Sequence, residues 1–143
     1  MDPREFHILA SELVSRNRAA DLRTAISRAY YAVFNLGVGI LVELGFQVRE
    51  GTGGHGDVRH RLSNSGDSKL VKVGSQLGEL QSRRIQADYR LTQKDIENQK
   101  MAEALVQLAG KMIRTLDECR SGPRRLEIIK AIQDWEIKTG QHP

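Results

Sequence analysis

A single cysteine, Cys119, has nothing to pair with, so the chain holds no intrachain disulfide framework and no cysteine-based metal cluster. Prolines number 3 and aromatics make up only 5% of residues, while Leu, Ile, Val and Ala carry the apolar content. That balance favours helices over sheet, because strands draw on aromatic and β-branched side chains. No apolar run approaches the length of a membrane span, and the short acidic start is no signal peptide. A cytoplasmic protein without membrane contact is therefore expected. Familiar catalytic patterns are missing as well: no Cys pair, no His-x-x-x-His, no Gly-x-Ser-x-Gly and no carboxylate pair on a buried face. The histidines are His7, His55, His60 and His142, without metal-ligand spacing; neither a metal nor a cofactor is expected. His7 and His142, near the chain ends, read as solvated.

What is present is a moderate basic excess, net +4 over 143 residues, with 15 arginines to 7 lysines. Arginine suits planar, bidentate contact with phosphate or carboxylate. The length fits one domain, 1–143, with a helical core over about 4–120 and an additional helix over about 124–139. Residues 22–44 form the organising stretch: Leu22, Ile26, Ala29, Val33, Gly37, Ile40 and Leu44 recur at helical spacing as one apolar stripe. Beside it Arg28, Tyr31 and Asn35 share a second face. Adjacent Tyr30 and Tyr31 diverge by about 100° on a helix, so both cannot enter one core.

Around this helix the rest of the chain reads as an up-and-down antiparallel bundle of about five main helices. A first helix begins near Pro3 and buries Phe6, Leu9, Ala10, Leu13 and Val14; Asp21 is placed to cap the second. The glycines of 51–56 read as a flexible connection, and 57–62 as at most a small, exposed helix. Asp67 or Ser68 caps a helix whose stripe is Leu70, Val73, Leu77, Leu80 and Arg84, with Asp88 one turn on and able to pair with that arginine. Gly74 and Gly78 on that helix allow close approach of a neighbour. Thr92-x-x-Asp95 resembles a capping box for a helix with the seam Met101, Leu105, Leu108, Met112, Leu116 and Cys119. Leu126, Ile129, Ile132 and Trp135 give the last helix its apolar face, and Gly140 stops it.

If the second and fourth helices are neighbours, Arg28 and Tyr31 approach Arg84 and Asp88. Arginine beside tyrosine suits RNA, since the guanidinium neutralises phosphate and an aromatic ring stacks on an unpaired base. The competing reading is a buried hydrogen-bonded network that fixes helix register.

The run 26–32, Ile-Ser-Arg-Ala-Tyr-Tyr-Ala, together with His55 after its Gly-rich segment and Arg84-Ile85-Gln86-Ala87-Asp88-Tyr89, resembles the small stand-alone HEPN domains (higher-eukaryote and prokaryote nucleotide-binding) in order and spacing. The resemblance covers roughly residues 9–119. It implies a homodimeric bundle that binds RNA or nucleotide in a polar cleft at the dimer interface. Many relatives are metal-independent ribonuclease toxins neutralised by a nucleotidyltransferase encoded alongside. It also implies that Arg84 and His55 carry the catalysis, Arg84 stabilising the phosphorane charge and His55 serving as the one candidate proton carrier, and that Arg28, Tyr31, Asn35, Asp88 and Tyr89 bind the RNA or nucleotide. One departure stands out. Active members place a His a few residues after an Arg, often with a Tyr two residues further on; aligning Tyr89 with that Tyr puts Ala87, which has no proton to transfer, at the His. The alternative is thus a non-catalytic dimeric module that binds a nucleotidyltransferase or other protein partner.

Overall fold

The apolar spacing folds into six α-helices in the computed structural model, which describes residues 1–141: α1 (Arg4–Arg16), α2 (Ala19–Glu43), α3 (Thr52–Ser63), α4 (Ser68–Tyr89), α5 (Gln99–Arg120) and α6 (Arg125–Thr139). One 3₁₀ turn, Lys94–Ile96, precedes α5. The architecture is an all-α bundle, with α3 as the helix beyond the five main ones expected.

α2 is its axis and packs against α1, α3, α4 and α5. The whole predicted stripe from Leu22 to Leu44 is buried, and Tyr30 joins it at 0% exposure. Contrary to the sequence reading, α2 is long and apolar enough by length and composition to cross a membrane, but 67% of that window is buried inside the bundle. A core helix contacted by four neighbours has to be apolar nearly all round, which is why the two readings overlap. Asp21 does not cap α2. The helix starts two residues earlier, at Ala19, and the Asp21 carboxylate accepts from Arg18 Nε at 2.7 Å. Asn17, left-handed at φ 57°, closes α1 and turns it back onto α2. Within α1 the buried residues are Ala10, Leu13 and Val14; Phe6 packs at the edge and Leu9 is exposed.

The largest correction concerns residues 51–63. Three of the four glycines lie inside α3, and its Asp57, Val58, Arg61 and Leu62 are buried. Glycine is required here by crowding. A Cβ on Gly54 would sit 2.3 Å from the carbonyl oxygen of Arg49, and one on Gly53 3.0 Å from the Arg49 guanidinium. The first turn of α3 therefore lies directly on the preceding chain. Arg49 grips it, donating from its backbone N–H, Nε and Nη2 to the Asp57 carboxylate at 2.8–2.9 Å. On the other side of α3, Gly74 and Gly78 of α4 face Ser63 and Arg59, the close approach that their spacing predicts.

Asp67 caps α4 by accepting from the backbone N–H groups of Lys69 and Leu70. The cap of α5 is Asn98, not Thr92: its side chain accepts from Met101 N–H at 3.0 Å, while Asp95 falls in the 3₁₀ turn. Along α5 the buried face is broader than one seam, adding Ala102, Val106, Ala109 and Ile113, with Met101, Leu108 and Cys119 only partly buried. α6 buries Ile132 of the predicted face together with Ile128, keeps Ile129 and Trp135 partly buried, and leaves Leu126 77% exposed. Arg61 sets that rotation. Fully buried, it donates through Nε to Glu136 at 3.0 Å, sits 3.6 Å from Asp57 through Nη1, and lies over the Trp135 ring. Gly140, at φ 69°, ends the helix.

Candidate functional site

α2 and α4 are neighbours, and at their contact the polar residues converge. Asp88 accepts from Ser27 Oγ at 3.1 Å and from Arg84 Nε at 2.9 Å, which ties the two helices and orients the guanidinium. The Arg84 guanidinium carbon then lies 5.0 Å from the Tyr31 ring centroid and 5.4 Å from that of Tyr89. Across the same ring Arg28 lies 5.1 Å from Tyr31 and 4.7 Å from Phe6. Rings and guanidinium groups thus alternate from α1 across α2 to the end of α4, each contact a cation–π interaction.

α3 closes the third side. Its first turn delivers His55 to the face of Phe34, with ring centroids 4.5 Å apart and 19° between planes. His55 Nδ1 and the buried Tyr30 hydroxyl are 2.5 Å apart. The adjacent tyrosines do diverge: Tyr30 enters the core and Tyr31 looks into an open cleft of about 660 Å³. That cleft is lined by Tyr31, Phe34, Glu50, His55, Arg84 and Tyr89, among others. Burial, and then the Arg84 charge, hold the His55 imidazole below its usual pKa, so it is neutral at pH 7. Burial likewise pushes the Tyr30 phenol up, so it keeps its proton.

Four of the seven residues singled out in the sequence, Tyr31, His55, Arg84 and Tyr89, line this cleft together. Asp88 stands behind Arg84 as its partner. Arg28 lies by the Tyr31 and Phe6 rings and does not line the cleft; no carboxylate is within ion-pair distance of it among the described residues. Asn35 points elsewhere: it is exposed and its amide donates back to the Tyr31 carbonyl at 2.8 Å. Ala87 is 1% exposed in the core, with its carbonyl accepting from Arg23, so no side chain at that position reaches the cleft. His7 is not solvated as expected; it is half-buried, with Nε2 donating to the Val106 carbonyl at 2.9 Å. His142 lies outside the described residues.

Sequence reasoning missed Tyr30 as the partner of His55, Phe34 as its stacking platform, and Arg23. Arg23 donates to Glu97 and to the carbonyls of Gln86, Ala87, Leu91 and Gln93, and so pins the chain that follows α4. Only the Tyr30–Tyr31 adjacency hinted that one ring turns inward. A second groove of about 420 Å³, lined by Ser11, Gln99 and Glu103 among others, has no aromatic ring or guanidinium, so the chemistry does not converge there.

The fold and site together define an all-α bundle with an arginine- and aromatic-lined cleft holding one neutral imidazole. No family model, curated protein or solved structure matches the chain.

Proposed function

We propose that this is an HEPN-like cytoplasmic protein that binds RNA or a nucleotide, with a phosphate held between Arg84 and His55 and bases stacked on Tyr31 and Tyr89. One observation carries this reading: His55 on α3 and Arg84 on α4 line a single open cleft with exposed aromatic faces. The Arg84 guanidinium uses Nε on Asp88 and leaves both terminal nitrogens without a protein partner among the described residues, ready for a phosphate. Tyr89, 70% exposed and backed by that guanidinium, is a stacking platform of the kind single strands use. In the catalytic form of the proposal the protein is a homodimeric, metal-independent ribonuclease, the toxin of a pair with a nucleotidyltransferase. A ribose 2′-hydroxyl would attack the adjacent phosphorus and give up its proton to water, the P–O5′ bond would break to leave a 2′,3′-cyclic phosphate, and the leaving 5′-oxygen would take a proton from water, while Arg84 and His55 stabilise the charge that develops on the phosphorane oxygens. Cleavage of labelled single-stranded RNA in EDTA, with Arg84→Ala and His55→Ala alongside, tests it. Cleavage retained by both variants overturns the catalytic assignment.

A second reading, a non-catalytic module docking a nucleotidyltransferase or other protein, is favoured by a different observation. Leu91 is 69% exposed next to Tyr89 at the end of α4, an apolar rim that RNA does not need. Wild-type protein that binds neither RNA nor nucleotide in a filter assay would favour this module.

A further inference from the structure

The Tyr30–His55 pair decides what kind of group His55 presents to the cleft. Tyr30 is fully buried, and its hydroxyl has one hydrogen-bond partner among the described residues, His55 Nδ1 at 2.5 Å. A phenol carries one proton. If Nδ1–H were the donor, the phenol's own proton would be stranded in the core without an acceptor, at the full desolvation cost of an unmet buried group. The phenol therefore donates, Nδ1 accepts, and the ring proton of the neutral imidazole resides on Nε2.

Phe34 holds the ring plane by stacking, so Nε2–H keeps a fixed direction. That nitrogen has no protein partner among the described residues, and His55 lines the cleft together with Arg84. We propose that Tyr30 is a positioning residue: it locks His55 as an Nε2–H hydrogen-bond donor, so that imidazole and Arg84 together receive an anionic phosphate oxygen, and His55 is not a general base. This rests on the phosphate-binding reading of the cleft. A base needs a lone pair at the nitrogen facing the substrate, and in this tautomer Nε2 has none to offer. Imidazolium is disfavoured as well, since a proton on Nδ1 would turn the acceptor into a donor and strand the phenol again. The charged groups nearby are Arg84 of α4, a like charge to imidazolium, and Glu50 with the Asp57-paired Arg49 on the segment before α3. In a cleavage reaction the same two donors would stabilise the phosphorane oxygen.

The test is long-range ¹H–¹⁵N correlation NMR on the full-length ¹⁵N-labelled protein, with His55 assigned by its loss in His55→Asn. Wild type is expected to show the neutral Nε2–H tautomer at pH 7 and above. Tyr30→Phe, which keeps the ring and removes only the hydroxyl, should give a mixture of tautomers and a His55 midpoint moved upward. Titration with inorganic phosphate, 5′-AMP and a short single-stranded RNA should shift the Nε2–H proton in wild type and bind Tyr30→Phe more weakly. An Nδ1–H tautomer in wild type, or unchanged tautomer and midpoint in Tyr30→Phe, overturns the proposal; the wild-type spectrum decides even if the variant fails to fold. The correct tautomer with no response to any of the three ligands upholds the Tyr30 lock and overturns the phosphate reading instead.

Discussion

Arg23 of α2 and Arg84 of α4 both place a guanidinium against the C-terminal part of α4, yet the two groups are used in opposite ways. Arg23 spends its donors on Glu97 and four backbone carbonyls of the chain between Gln86 and Gln93. Its side chain is 9% exposed, and a guanidinium has only five N–H groups to give. Arg84, at 13% exposure, is scarcely less buried but makes one side-chain hydrogen bond, through Nε to Asp88. Burial does not separate the two, but donor saturation does. A saturated arginine is committed to the fold. An arginine held by one edge, with its other nitrogens turned to a cleft, is available to a ligand. Arg61 belongs with Arg23, fully buried among Asp57, Glu136 and the Gln141 carbonyl.

The most direct way to break this contrast is to truncate both residues. Arg23→Ala leaves Glu97 and a set of carbonyls without their donor, and should cost about 3–5 kcal/mol in urea unfolding, the range for breaking a buried ion pair. Arg84→Ala should cost less, about 1–2 kcal/mol, because Asp88 keeps Ser27 and stays partly exposed. Its effect belongs in binding: affinity for a short single-stranded RNA should fall roughly tenfold or more, as expected for a charge-assisted hydrogen bond. A large stability loss at Arg84 with RNA affinity intact would return the cleft to a buried register network.

A smaller effect sharpens the same boundary from the α3 side. Gly54→Ala forces a Cβ against the Arg49 carbonyl oxygen, a backbone atom that cannot swing aside. The first turn of α3 must lift, at a cost of about 1–3 kcal/mol, the range for overpacking. Since His55 is the next residue, ligand affinity should fall together with the midpoint. Stability lost without any change in affinity would show that the imidazole is placed independently of this contact.

The legible part of the fold was the part written in apolar spacing. α2 announced its stripe residue by residue, and the Leu70–Leu80 pattern carried Arg84 onto a buried face with Asp88 one turn on. What stayed hidden depends on who packs against whom. Glycines at 53, 54 and 56 weaken a helix intrinsically, and nothing local reveals that α3 needs those at 53 and 54 to lie on Arg49. The faces of α1 and α6 were misassigned at single positions, Leu9 and Leu126, because an amphipathic pattern leaves the rotation of a short helix open by one residue. In the α6 case the choice is made by Arg61, a charged residue on another helix. The site divides the same way. Arg84, Tyr31 and Tyr89 could be read from helix geometry, whereas the pairing of Tyr30 with His55, 25 residues away, is a tertiary fact.

Acid separates the two regions by the pH at which each weakens. The His55 pKa is held below the usual 6.5 of a free imidazole by burial and then Arg84, so below that pH the unfolded chain binds the proton more readily. Stability from this group is therefore complete above about pH 6.5 and is lost as pH falls through the lower folded value. Asp57 is held below 3.8, chiefly by the hydrogen bond from Arg49 and with a further contribution from the Arg61 charge, so its share is lost only below that pH. A urea series from pH 7.5 to 3 should show the first decline flattened in His55→Asn and the second kept. An unchanged first decline in that variant would assign it to some other group.

The gentlest test concerns the remaining glycine inside α3. A Cβ on Gly56 would find its nearest neighbour, His60 Cε1, at 3.7 Å, which is ordinary van der Waals contact, and the residue lies within a helix. Alanine there should stabilise by about 0.5–1 kcal/mol, the usual helix-propensity gain. With His55 immediately before it and the Gly54 contact untouched, RNA affinity should stay level. Gly54→Ala and Gly56→Ala thus flank the imidazole with opposite expected signs. If both destabilise, the whole first turn of α3 is held by more than the Arg49 contact. If both stabilise, the turn is free to move off Arg49, and the fixed placement of His55 that the cleft relies on is lost.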